Sequence, residues 1–211
     1  MAILFLKFIR FLIFIGLILS SSLSIHAETI RTLVVLGDSI SAGYGVSKDS
    51  QWTVLLQKEM DKNGDSIQIV NSSISGDTTG GGLSRLKKIL NNESPDFVLI
   101  ELGGNDALRG YPPKKIKSNL RSIADLSIKN GAEVILMQIR IPPNYGSRYV
   151  TAFESLYPEL ANEMDISYMD FMLEKVALES DLMLPDGIHP NEKAQPIIAE
   201  FIYDQITSLL D

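Results

Sequence analysis

Five short apolar runs alternate with helix-patterned segments along this chain, and that alternation constrains the fold most. Residues 32–36 (TLVVL) are rich in β-branched side chains and end at Gly37. Residues 67–70 (IQIV) stop at Asn71, and residues 97–102 (FVLIEL) follow Pro95 and end at Gly103-Gly104. Residues 134–139 (VILMQI) follow Gly131 and end before Pro142-Pro143; residues 166–171 (ISYMDF) form a weaker fifth run. Runs this short, bounded by turn residues, predict buried strands. Between them Trp52, Leu55, Leu56 and Met60 recur at helical spacing, as do Leu83, Leu86 and Leu90. Ile116, Leu120 and Ile123 mark a third helix reaching Lys129, and Phe153, Leu156 and Leu160 a fourth. Ile197, Ile198, Phe201, Ile202 and Ile206 share one side of a last helix over 194–210, with Pro196 in its first turn. Such alternation predicts an α/β fold whose parallel sheet is covered by helices on both faces. Ligands bind such sheets at the C-terminal strand edge, where most of the polar motifs fall.

The first 27 residues read differently. Lys7 and Arg10 precede or flank an apolar run over residues 11–19, and a Ser-rich stretch ends at Ala27. That order predicts a secretory signal over 1–27, cleaved near Ala27, and one domain over 28–211, exported to the periplasm or the medium. The unbroken apolar run is shorter than the roughly 20 residues of a membrane span, so no stable span is expected after cleavage. An uncleaved N-terminal anchor is the alternative. Removal of Lys7 and Arg10 leaves 17 basic residues against 26 acidic ones, a net charge of −9. Phosphate backbones repel such a chain, so nucleic acid is not an expected partner.

The chain has no cysteine, which excludes a disulfide framework, a thiol nucleophile and a thiolate metal site. It has two histidines, and His26 falls in the predicted leader. Any imidazole chemistry therefore uses His189, and a His-rich zinc site is excluded.

Four polar segments carry candidate chemistry. Gly37-Asp38-Ser39-Ile40-Ser41 follows the first run directly, so a rigid strand would hold the Ser39 hydroxyl at the sheet edge. Asp38 can bond nearby backbone amides; a plain turn or helix cap is the simpler reading. Asn71-Ser72-Ser73-Ile74-Ser75-Gly76-Asp77-Thr78 follows the second run, and the Gly76 N–H could meet a developing oxyanion. A loop capped by Asp77 or Thr78 is its alternative. Glu101-Leu102-Gly103-Gly104-Asn105-Asp106 presents the Asn105 amide as a further donor, or else Asn105 or Asp106 caps a helix. In Asp186-Gly187-Ile188-His189-Pro190-Asn191 the spacing lets a carboxylate turn back onto the imidazole. An Asp on Nδ1 leaves Nε2 free to accept a serine proton.

Together the four segments resemble the SGNH, or GDSL, hydrolase family, whose letters correspond to Ser39, Gly76, Asn105 and His189. The likeness is greatest to its branch of secreted bacterial thioesterases, arylesterases and lysophospholipases. It extends over about residues 32–208 and includes LGDSISAGYG, SISGDTT, ELGGNDALRG, MQIRIPPNYG and DGIHPN. The resemblance implies a three-layer α/β/α fold with a five-stranded parallel sheet in flavodoxin-like order. It implies hydrolysis of ester or thioester bonds through an acyl-enzyme on Ser39, with Asp186 and His189 completing the triad. The oxyanion would meet the N–H groups of Ser39 and Gly76 and the side chain of Asn105. No cofactor or metal is implied. Leu108, Tyr111, Ile141 and Tyr145, with Pro112 and Pro113, are candidates for acyl-chain contact, and Gly80-Gly81-Gly82 and Gly110 for hinges of a mobile lid. Loop packing is the alternative for these. The expected partner is a small acyl ester or thioester, met by a monomer. The competing functions are a carbohydrate O-acetylesterase with the same triad and a silent acyl-binding protein. No Gly-x-Ser-x-Gly elbow is present, and neither is a Gly-x-Gly-x-x-Gly run.

Overall fold

The computed structural model describes residues 29–210. The proposed leader over 1–27 lies outside them. Five parallel strands form one sheet: β1 (Arg31–Gly37), β2 (Ile67–Asn71), β3 (Phe97–Glu101), β4 (Glu133–Met137) and β5 (Ser167–Met169). Their order is β2-β1-β3-β4-β5, the flavodoxin-like arrangement.

Side chains alternate strictly across the sheet, as strand geometry requires. Leu33, Val35, Phe97, Leu99, Ile135 and Met137 face one layer. That layer is built on α1 (Trp52–Asn63) and α7 (Gln195–Leu210), through Trp52, Leu56, Met60, Ile198, Ile202 and Ile206. Leu36, Val98, Ile100, Val134 and Leu136 face the other layer. There pack α2 (Thr79–Glu93), α4 (Pro113–Lys129), α5 (Ser147–Glu154) and α6 (Leu156–Met164), while the short α3 (Gly104–Leu108) follows β3 at the sheet edge. The interiors of β1, β3 and β4 are buried from both sides, which is why they read as unbroken apolar runs.

Two expectations are corrected. The fourth helix is two helices broken at Ser155. Pro158 lacks the N–H an unbroken helix would need, and its ring would crowd the carbonyl of Glu154, so the helix restarts at Leu156. The last helix begins at Gln195 after a 3-10 turn over Glu192–Ala194, one residue later than expected, with Pro196 in its first turn. No helix among the described residues is long and apolar enough to cross a membrane.

Candidate active site

The serine segment leaves β1 as a coil of turns over residues 39–45. The Ala42 N–H donates to the Asp38 carbonyl at 2.9 Å, and the Ile40 N–H donates to Asp38 Oδ1 at 3.1 Å. These bonds fix the half-buried Ser39 against the strand end. The His189 loop is closed independently. Met183 and Pro190 form an antiparallel bridge, and the Leu184 N–H donates to the His189 carbonyl at 2.7 Å.

The two segments meet across 150 residues of sequence: Ser39 Oγ lies 2.8 Å from His189 Nε2. Asp186 Oδ2 lies 2.7 Å from His189 Nδ1. Asp186 Oδ1 also accepts the N–H groups of Ile188 at 2.9 Å and His189 at 3.0 Å. The backbone N–H of His189, then that of Ile188, then the imidazole hold the Asp186 carboxyl down to about 2. An ionised Asp186 accepts the Nδ1 proton, which leaves a lone pair on Nε2 facing the hydroxyl.

The two other sequence candidates stand on neighbouring loops. Gly76 (φ +78°) sits in a turn closed by Asp77 N–H to the Ile74 carbonyl, and the Ile74 N–H donates to the Gly37 carbonyl, both at 3.1 Å. Arg109 donates to the Gly76 carbonyl at 3.1 Å. Thr78, one of the two expected caps, accepts from the Gly81 N–H at 3.1 Å and starts α2. Asn105 lies in the first turn of α3, and its Nδ2 donates to Asp38 Oδ2 at 3.0 Å. One amide hydrogen is thus committed and one remains for another acceptor. Asp106 is buried, accepting from Thr79 N–H at 2.8 Å and Thr79 Oγ at 2.6 Å, which fastens the β3 loop to α2.

Beneath Ser39 lies a pair of buried carboxyls that sequence reasoning missed. Parallel register sets Glu101 beside Gly37. Glu101 Oε2 accepts from Ser41 Oγ at 2.7 Å and from the Asp38 N–H at 3.2 Å. Burial, and then the charge of Asp38, push the Glu101 carboxyl well above its ordinary value. Burial pushes Asp38 up to about 6, against the pull of the Ile40 N–H. A carboxylate closing an otherwise apolar strand was the available signal.

Of the acyl-contact candidates, Tyr111 and Tyr145 are exposed, Leu108 is half-buried, and Ile141 is packed in the core at 8 % exposure. Tyr145 donates to the Leu108 carbonyl at 3.1 Å and Tyr149 to the Tyr111 carbonyl at 2.5 Å, which joins the loops after β3 and β4. Pro113, Tyr145, Gly146, Tyr149 and Ala152 border a groove of about 520 Å³; Ser39 and His189 do not line it. Gly80, Gly81 and Gly82 lie within the first turn of α2, which is regular helix. Among the described residues, no group of three or more His, Cys, Asp or Glu side chains could hold a metal ion.

Comparison with known proteins agrees with this architecture. The model of the GDSL-like lipase/acylhydrolase family matches residues 35–196. The chain is 46% identical over 196 residues to an arylesterase of Vibrio mimicus, covering 93% of this chain and 98% of that protein. It is 46% identical over 189 residues to thioesterase 1/protease 1/lysophospholipase L1 of Escherichia coli strain K12, covering 90% and 89%. The crystal structure of the psychrotrophic esterase EstA from Pseudoalteromonas sp., inhibited by monoethylphosphonate, superposes with a TM-score of 0.84 at 43% identity, covering 85% of this chain and 98% of that one. By sequence and by fold, the chain belongs to the GDSL-like lipase/acylhydrolase family.

Proposed function

We propose that this ester-bond hydrolase works through an acyl-enzyme on Ser39, with His189 as general base and acid and Asp186 as its orienting carboxylate. The observation that carries the reading is the unbroken path from Asp186 Oδ2 through the imidazole to Ser39 Oγ, at 2.7 and 2.8 Å. Ser39 attacks the acyl carbonyl as Nε2 takes its proton. The oxyanion is met by the N–H groups of Ser39 and Gly76 and by the free Asn105 amide hydrogen. His189 then protonates the leaving alcohol or thiol, and water repeats the sequence to release the acid. Loss of one oxyanion donor costs about 10²–10³ in kcat.

The substrates are small carboxylic esters and thioesters. Names of relatives, arylesterase and thioesterase/lysophospholipase, support aryl esters, acyl thioesters and lysophospholipids. Tyr111 and Tyr145, with the backbone around Leu108, would lie beside the acyl chain, whereas Ile141 is packed in the core. Residues 1–27 serve as the export leader, and the domain over 28–211 acts as a monomer with no nucleic-acid partner.

A fluorophosphonate probe tests the assignment, followed by mass spectrometry of the labelled peptide. The label is expected on Ser39 and absent from Ser39→Ala, which loses p-nitrophenyl ester and acyl-thioester hydrolysis together. Near-normal turnover by Ser39→Ala would overturn the reading.

A further inference from the structure

Tyr44 is an aromatic residue in the serine segment, 52% exposed. Its ring nevertheless has a defined partner: the centroid lies 4.5 Å from that of the His189 imidazole, with 41° between the planes. The backbone beneath it is held on both sides. The Tyr44 N–H donates to the Ser39 carbonyl at 3.0 Å. Gly43 (φ +72°) and Gly45 (φ +73°) flank it in the left-handed region that glycine favours. A Cβ on Gly43 would overlap the Gln51 side chain, and one on Gly45 would lie 2.6 Å from Leu184. The turn is therefore pressed between the start of α1 and the loop that carries the imidazole. Ser47 also donates to Glu192, and the Trp52 N–H donates to Gln195 Oε1 at 3.0 Å, so the serine and histidine segments are joined again beyond the turn.

We propose that Tyr44 is a positioning residue for the reaction, its ring seating the His189 imidazole between Asp186 and Ser39 and favouring the imidazolium that forms there. This deepens the assignment of Ser39 and His189 and rests on it. Asp186 holds Nδ1 and Ser39 meets Nε2, but two bonds in the ring plane leave the imidazole faces unsupported. Tyr44 packs against one face. As Ser39 yields its proton the ring becomes cationic, and a cation over an aromatic face is stabilised. The ionisable groups facing the imidazole are Asp186 from its own loop and Asp38, acting through space, from the end of β1. Both carboxylates stay in place when Tyr44 is replaced. The contribution of Tyr44 is therefore a difference measurable with both carboxylates in place.

The test compares Tyr44→Phe with the ring-less Tyr44→Leu and Tyr44→Gln in the full chain, using kcat and KM on a p-nitrophenyl ester. Position 44 is exposed, and thermal melts run alongside check that the variants fold. Tyr44→Phe is expected within about twofold of the parent. The ring-less variants are expected to lose roughly 3- to 10-fold in kcat with KM nearly unchanged. Parental kcat in the ring-less variants would overturn the proposal. So would a loss appearing in KM, or equal impairment of Tyr44→Phe, which would assign the effect to substrate contact or the hydroxyl. Ser39→Ala run in parallel separates the two levels: its inactivity beside normal Tyr44 variants rejects only Tyr44, whereas its activity rejects the site.

Discussion

Asn105 reaches back from the first turn of α3 to donate its Nδ2 to Asp38 Oδ2 at 3.0 Å, so the residue preceding the serine sets the direction of the amide. Asp38 serves two donors, Ile40 N–H on Oδ1 and Asn105 on Oδ2. An asparagine at position 38 has one acceptor oxygen and would turn an NH₂ toward one of them. Asp38→Asn should therefore misdirect Asn105, lowering kcat about 10- to 100-fold with KM within about threefold, as befits a contact that strengthens in the transition state. Steady-state kinetics beside a thermal melt read the outcome. A loss confined to KM would place Asn105 on ground-state substrate instead.

Asp186→Asn should separate orientation from scaffolding. The oxygen of the introduced amide can still accept the N–H groups of Ile188 and His189, so the loop keeps its shape. The NH₂ of that amide then faces Nδ1 as a donor and selects the tautomer with the proton on Nε2, the wrong one for accepting from Ser39. A drop of about 10²–10⁴ in kcat is expected, with the chain still folded at pH 7 and its melting temperature there somewhat below the parent's. The stability consequence appears in acid. The Asp186 carboxyl is held down to about 2, below its ordinary 3.8, so its contribution is present above pH 3.8 and lost as pH falls toward 2. Between pH 4 and 2 the parent should lose more melting temperature than Asp186→Asn.

The strands were legible because β1, β3 and β4 are buried on both faces, which forces unbroken apolar runs such as LVVL and FVLI. The segments that bring Ser39, Asp186 and His189 together were legible because these residues occur in short local patterns, with one histidine outside the proposed leader. What stayed hidden is whatever depends on strand register or on loops meeting. Glu101 sits beside Gly37 only because β1 pairs with β3 at that offset, and Asp38 alone read as a turn residue. Tyr44 meets His189 across 145 positions of sequence, which no local period encodes. The break at Ser155 was readable from Pro158, but the spacing of Phe153, Leu156 and Leu160 masked it.

Gly103 offers a stability test of the β3 loop. Its φ is +121°, which a side chain rarely adopts, and an added Cβ would overlap the Tyr157 hydroxyl. Tyr157 is fully buried and donates to the Leu102 carbonyl at 3.0 Å, so it cannot swing aside. Gly103→Ala should cost about 3 kcal/mol or more, roughly 6–12 °C in melting temperature for a domain of this size. Tyr157→Phe in the same chain relieves the hydroxyl contact but not the backbone strain. Partial recovery in that double variant, read by calorimetry, is the expected signature of both contributions.

Glu101→Gln should stabilise the protein more as the pH rises. The Glu101 carboxyl is pushed well above its ordinary 4.5 by burial first and by Asp38 second, so the folded state holds its proton to higher pH than the unfolded chain does. The unfolded chain releases that proton above about pH 4.5. Folding then takes up a proton, and stability falls as the pH rises beyond 4.5. Glutamine keeps an acceptor for Ser41 Oγ and the Asp38 N–H but has no proton to take up. The melting temperatures of parent and variant should be close at pH 4 and diverge toward pH 8 in favour of the variant, with kcat at pH 7 within about threefold. Glu101→Leu should instead destabilise at every pH, because it orphans two buried donors at about 1–3 kcal/mol each. A pH-independent gap between Glu101→Gln and the parent would mean that Glu101 ionises alike in both states and that the floor beneath Ser39 is charged.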